Sequence, residues 1–229
     1  MNSVNRKHLA GEAFGTFALV FAGTGAIISN DISGGAVSHV GIAVTFGLII
    51  LTLIYALGDV SGAHFNPAVT IAFWAARRFE SARVLPYILA QCAGGIMASV
   101  LLRLMFPFHA TLGITRPSGS ALQSFVLEIV LTMLLMFVIL SVSTGAKEKG
   151  ITAGIAIGAV IGLEALFAGP ISGASMNPAR SLAPALVSGQ LSSLWIYLLA
   201  PTLGAWLGVG VCRVIREPGC CDGRCASES

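Results

Sequence analysis

The chain has 229 residues, 55% hydrophobic and only 10% charged, with a mean hydropathy of +0.87. Soluble domains carry about 25% charged residues, so this composition belongs in lipid and excludes an ordinary water-soluble fold. A net charge of +3 is too small to imply a nucleic-acid partner, and no Ser/His/Asp grouping, metal-ligand spacing or phosphate loop marks an enzyme, a metal site or a cofactor site.

The first apolar stretch, Leu9 to Ser29, matches the roughly 20 residues of a bilayer span. It is longer than the about 7–15-residue core of a cleaved signal peptide, so it reads as the first transmembrane helix. Five more stretches of spanning length follow at 37–57, 84–105, 121–143, 151–168 and 193–215. Two shorter apolar segments lie between them, at 66–76 and 177–187. As helices these measure ~16 Å, against a hydrocarbon core of ~30 Å. One such segment reaches the midplane; two entering from opposite sides together cross it.

Basic residues fall at the N-terminus (Arg6, Lys7), in alternate connections (Arg77, Arg78, Arg83, Lys147, Lys149) and after the last span (Arg213, Arg216, Arg224). The positive-inside rule then places both termini in the cytoplasm; the membrane expected is the plasma (inner) membrane. The opposite side carries Arg116, with Arg103 near a helix end.

The chain repeats itself. SGAHFNPAVT begins at Ser61 and SGASMNPARS at Ser172, and upstream of each lies an E-x-x-x-T helix, with Glu12 and Thr16 in one and Glu128 and Thr132 in the other. The reading is a first repeat over 1–115, a second over 116–216 and a Cys-containing cytoplasmic tail over 217–229. Each repeat holds three spans, an odd number, so the second is inverted relative to the first. Short interrupted helices at matching places in an inverted repeat point to the transport site. Glycines spaced by four (Gly11 and Gly15; Gly154, Gly158 and Gly162; Gly204 and Gly208) fit close helix packing.

Asn is a favoured helix cap and Pro a favoured first helical residue, so Asn66-Pro67-Ala68 and Asn177-Pro178-Ala179 each open a short helix. Non-helical backbone before them survives at membrane depth only if buried or lining water. These paired motifs, their flanks and the six-span repeat resemble the twin NPA boxes of the aquaporin (major intrinsic protein) family, over almost the whole chain. The wording GDVSGAHFNPAVT and AGPISGASMNPARS is similar to the nodulin-type intrinsic proteins of plants and their bacterial relatives. The resemblance implies an all-α membrane protein with six transmembrane helices and two re-entrant half-helices. It also implies passive passage of water and small uncharged solutes and, by family habit, a homotetramer with one pore per subunit.

Carried over residue by residue, the family's constriction falls on Phe46, Ala165, Ala174 and Arg180. Phe46 lies 20 residues before Asn66, and Ala174 and Ala165 lie 6 and 15 before Arg180. Water-selective relatives usually have His at the Ala165 position and Thr or Cys at the Ala174 position. Glycerol-conducting relatives usually have Trp, Gly and Phe at the Phe46, Ala165 and Ala174 positions. This chain matches neither set, and two alanines imply a wider, less polar constriction. Glycerol and metalloid hydroxides such as arsenous or boric acid are the solutes the nodulin-type resemblance adds; a strictly water-selective channel is the alternative.

Intramembrane acids invite functional readings. By family resemblance Glu12 and Glu128 brace the re-entrant loops. Glu164 has no repeat partner and stays open between packing, a pore-facing place and the proton site of a coupled secondary transporter. His64 contributes its backbone carbonyl to the pore by resemblance, with pH gating as the other reading; His8, His39 and His109 lie near span ends. Cys92 and Cys212 act as small hydrophobes in or near spans. The five cysteines suggest no disulfide framework, and Cys220, Cys221 and Cys225 read either as inert thiols or as a soft-metal or arsenite site.

Overall fold

The computed structural model describes residues 6–143 and 147–224, with no account of side chains over 147–151. Cys225 and the Lys147 and Lys149 side chains lie outside the described residues. The fold is all-helical among the described residues: α1 (Arg6–Ile32), α2 (Ser38–Ser61), α3 (Pro67–Ala75), α4 (Ser81–Met105), α5 (Ala121–Val142), α6 (Lys147–Ser172), α7 (Pro178–Ser188) and α8 (Leu194–Ile215). Six of them, all but α3 and α7, are long and apolar enough to cross a membrane. Large apolar side chains such as Leu85, Leu89, Leu104 and Leu203 remain exposed on them, as expected of surfaces whose solvent is lipid.

The fifth span differs from its predicted end at 168. It runs on through Pro170 to Ser172. A proline inside a helix removes one N–H and orphans the carbonyl four residues earlier. Here that carbonyl belongs to Leu166, and a His39 ring nitrogen lies 2.6 Å from it. A side chain from α2 thus takes up the bond that Pro170 cannot make, and the helix continues.

Lipid supplies no hydrophobic drive between helices, so association depends on close packing. The closest approaches are at glycine. A Cβ on Gly94 of α4 would lie 2.0 Å from the Ala13 carbonyl oxygen of α1, and one on Gly204 of α8 would lie 2.3 Å from the Ile129 carbonyl oxygen of α5. Between α2 and α6 the relation is reciprocal: a Cβ on Gly47 would meet the Gly158 oxygen at 2.7 Å, and one on Gly158 the Gly47 oxygen at 2.7 Å. In each case backbone touches backbone, so neither side has a flexible chain to move aside. The main core between these pairs is assembled from α2, α3, α5, α6 and α8, while Ala183 of α7 packs in a separate cluster with Val20 of α1 and Ala98 of α4.

One prediction separates this packing from ordinary helix propensity. Gly204→Ala is expected to destabilise by roughly 1–3 kcal/mol through overpacking. Gly210→Ala, where a Cβ meets nothing within 4 Å, should be neutral or stabilising by up to about 1 kcal/mol. Thermal unfolding in detergent compares the two.

Candidate functional site

Each short helix starts where its motif places it. Asn66 and Asn177 have extended backbones (φ −155° and −147°) and act as N-caps, with Pro67 and Pro178 in the first turn. The Asn66 side-chain oxygen accepts from Ala68 N at 2.9 Å. That of Asn177 accepts from Ala179 N at 3.0 Å and Arg180 N at 3.3 Å. The amide ends cross over. Asn66 Nδ2 donates to the Met176 carbonyl at 2.7 Å, and Asn177 Nδ2 to the Phe65 carbonyl at 2.9 Å. Each amide NH₂ carries two hydrogens, so one per Asn remains for a molecule passing between the helix ends.

The loops before the caps are held by acids buried in the spans. Glu12 accepts from Ser61 Oγ (2.8 Å), His64 N (3.0 Å) and Phe65 N (2.7 Å). Glu128 accepts from Ser172 Oγ (2.8 Å), Ser175 N (2.9 Å) and Met176 N (2.9 Å). The same contact recurs at equivalent positions down to the tyrosines, with Tyr87 OH donating to Ser61 O and Tyr197 OH to Ser172 O. Ala63, Phe65, Ala174 and Met176 take positive φ of 40–53°, a costly backbone that persists only where its surroundings over-determine it.

A single cavity of about 140 Å³ is lined by both Asn caps, by His64, Phe73 and Ser143 and by all four residues of the expected constriction, Phe46, Ala165, Ala174 and Arg180. At the about 30 Å³ that a water occupies in the liquid, this is room for about five molecules. Most of its wall is apolar, from Leu19, Ile50, Ile54, Val69, Leu135, Ile139, Ile157 and Ile161. Arg180 is buried at 3% exposure. Its Nη1 donates to Gly113 O at 2.9 Å and its guanidinium carbon stands 5.1 Å from the Phe46 ring centre. No carboxylate pairs with it among the described residues, so its charge is presented to the cavity.

Glu164 is 1% exposed, has no hydrogen bond at either oxygen and does not line the cavity. The structure therefore sets it behind Ala165 rather than on the path. His64 lines the cavity, but its ring is fixed among Phe73, Phe79 and Tyr87, with Nδ1 3.1 Å from Thr70 Oγ1. His8 meets Arg83, and His109 lies 3.2 Å from Asp31.

Several participants escaped sequence reasoning. Gln91 donates to both Glu12 and Thr70. Thr115 donates to Ser181 Oγ at 2.7 Å, and Gly113 in the same connection receives Arg180. Gly15 and Gly23 are sockets for Phe65 and Phe46: a Cβ there would lie 2.0 and 2.1 Å from the rings. The cysteine expectation is corrected. Cys212, at the end of α8, is joined to Cys221 by a disulfide. A sequence separation of nine carries no disulfide signal by itself, and the pairing arises because the chain after α8 turns back onto the helix end.

Six spans, two capped short helices meeting end to end and a cavity lined from both of them are the parts of a membrane channel. Over residues 2–211 the chain matches the family model described as major intrinsic protein. It is 48% identical to aquaporin NIP1-1 of Zea mays over 92% of this chain and 75% of that protein. It is 47% identical to nodulin-26 of Glycine max over 92% and 78% of the two chains. Its fold is shared with the aquaglyceroporin from Plasmodium falciparum, at a TM-score of 0.80 and 24% identity, covering 88% and 93% of the two chains. The chain belongs to the major intrinsic protein family: it is an integral membrane channel for water and small solutes, and not an enzyme.

The two kinds of buried acid should respond oppositely to mutation. Glu128→Ala strands two backbone N–H groups, at about 1–3 kcal/mol each, and should sharply lower both thermal stability and yield of folded protein. Glu164→Gln replaces an acid that has no partner with a neutral isostere, and should leave stability and water permeability unchanged or raised.

Proposed function

We propose that this channel passes water and small uncharged solutes, glycerol among them and metalloid hydroxides such as arsenous or boric acid by extension, while excluding ions and protons. The observation carrying the reading is the constriction: two alanine methyls, Ala165 and Ala174, share the cavity wall with Phe46 and an unpaired Arg180. Alanine leaves room and offers no side-chain hydrogen bond, so passage is selected by size and charge more than by polar fit. The Phe46 ring gives an apolar wall for the carbon side of a polyol, and the Arg180 guanidinium gives donors for its hydroxyls.

Exclusion of cations follows from two sources. The N-termini of α3 and α7 each carry about half a positive charge. At ~5 Å and an effective dielectric near 20, the pair repels a cation by roughly 3 kcal/mol. Arg180 adds a full charge further along. The free amide hydrogens of Asn66 and Asn177 face passing oxygens as donors on both sides, an arrangement that interrupts proton hopping. Glu12 and Glu128 serve to brace the loops that aim these groups. Both termini lie in the cytoplasm, the membrane is the plasma (inner) membrane, and four copies assemble with a pore in each. A proton-coupled carrier using Glu164 gains no support, because that acid does not face the cavity.

Light scattering from reconstituted vesicles tests the solute range. Shrinkage in sucrose should be fast, and glycerol should produce shrinkage followed by re-swelling. Ala165→His with Ala174→Thr should abolish re-swelling while water passage persists. Shrinkage without re-swelling in the unaltered protein would make it a water-selective channel instead.

A further inference from the structure

The segment after α8 has a use that conduction does not call for. From Arg216 the chain turns back, and Cys221 is bonded to Cys212 in the last turns of α8. Cys212 is fully buried and Cys221 is 3% exposed. The turn is reinforced by Arg213, whose Nη2 donates to Asp222 Oδ1 at 3.1 Å and to Ala75 O, the C-terminal end of α3, at 3.1 Å. Arg224 N closes onto Gly219 O at 2.9 Å. This places Gly223 against Arg78: a Cβ on Gly223 would lie 3.6 Å from Arg78 Nε. Arg78 in turn holds the channel wall. Its two Nη atoms donate to Ser143 Oγ and Ser143 O, both at 3.0 Å, and its guanidinium sits 5.0 Å from the Phe73 ring centre. Ser143 and Phe73 both line the cavity. The turn closed by the disulfide therefore lies beside Arg78, and Arg78 reaches the cavity wall through Ser143 and Phe73.

We propose that Cys212 and Cys221 are a reversible thiol–disulfide modification site that latches this mouth. In the bridged form the tail backs Arg78 and keeps its guanidinium clamped on Ser143, which narrows the entrance. In the dithiol form the tail is released, Arg78 exchanges Ser143 for water, and permeability rises. The chemistry is thiol–disulfide exchange with a low-molecular-weight disulfide. One cysteine thiolate attacks it, releasing one small thiol and leaving a mixed disulfide. The second cysteine displaces the other small thiol and closes the Cys212–Cys221 bond. The protein dithiol loses two protons and two electrons, and the small disulfide becomes two thiols. On the cytoplasmic side, where thiols are kept reduced, protein disulfides are mostly transient and redox-sensing; the inference rests on the topology and channel reading above.

The test uses the full chain in vesicles equilibrated with glutathione disulfide or with dithiothreitol, with alkylation mapping of Cys212 and Cys221 and water permeability on the same samples. Oxidised vesicles should carry the bridge and be severalfold less permeable than reduced ones. Cys220 is disulfide-bonded as well, so Cys212→Ser isolates this bridge; it should match the reduced protein under both conditions. Arg78→Ala should still form the bridge yet lose the permeability response. A bridge that forms and breaks with permeability unchanged would overturn the latch, as would failure to form it under glutathione disulfide. Vesicles impermeable in both states would count against the channel reading instead.

Discussion

Everything in this fold hangs on one exchange of hydrogen bonds between the caps of the two short helices. The Asn66 and Asn177 amides each donate to the carbonyl just before the opposite cap. Backbone that is neither helix nor closed sheet survives inside a membrane only where protein or a water-filled cavity, not lipid, satisfies it. The two half-helices solve this together: each cap oxygen serves its own helix and each cap nitrogen serves the other loop. The ends are thereby fixed head to head, which is what aligns their dipoles and presents the remaining donors to the channel.

Around that exchange the structure divides its labour between polar and apolar devices. Glu12 and Glu128 accept from the loop N–H groups just before the caps, while the Phe65 and Met176 carbonyls are taken by the crossing amides. The glycine contacts between α1 and α4, α5 and α8, and α2 and α6 set how near the spans stand, and so how wide the channel can be. Phe46 can stand beside Arg180 only because Gly23 has no side chain in its way. The cavity wall is thus set partly by a residue that does not line it.

The sequence disclosed the parts whose reasons are local. Caps, first-turn prolines and apolar lengths predicted the two short helices to within a residue and the six spans closely, because each depends on neighbours in the chain. What it hid depends on partners from elsewhere. The Leu166 carbonyl orphaned by Pro170 is met by a histidine 127 residues away in sequence, so the helix end was placed too early. Gln91, Thr115 and Gly113 are ordinary residue types whose importance is only their position. Gly15 lies on a spacing that suggests helix packing at most and Gly23 lies on none of those spacings, whereas in the fold both receive aromatic rings. The Cys212–Cys221 bond needed the return of the chain after α8, which no spacing announces.

The crossed bonds also bear on how the protein comes to be made. During synthesis the first three spans and α3 emerge long before α7 exists. Until then the Asn66 amide has no Met176 carbonyl to reach, and the Phe65 carbonyl awaits Asn177. A half-helix ending in unmet polar groups has no stable place at mid-bilayer, so α3 must wait at the membrane surface or in the insertion machinery until the second half arrives. Entry of the two short helices is then a joint, late event in biogenesis, and the aqueous path opens only once the whole chain has been threaded.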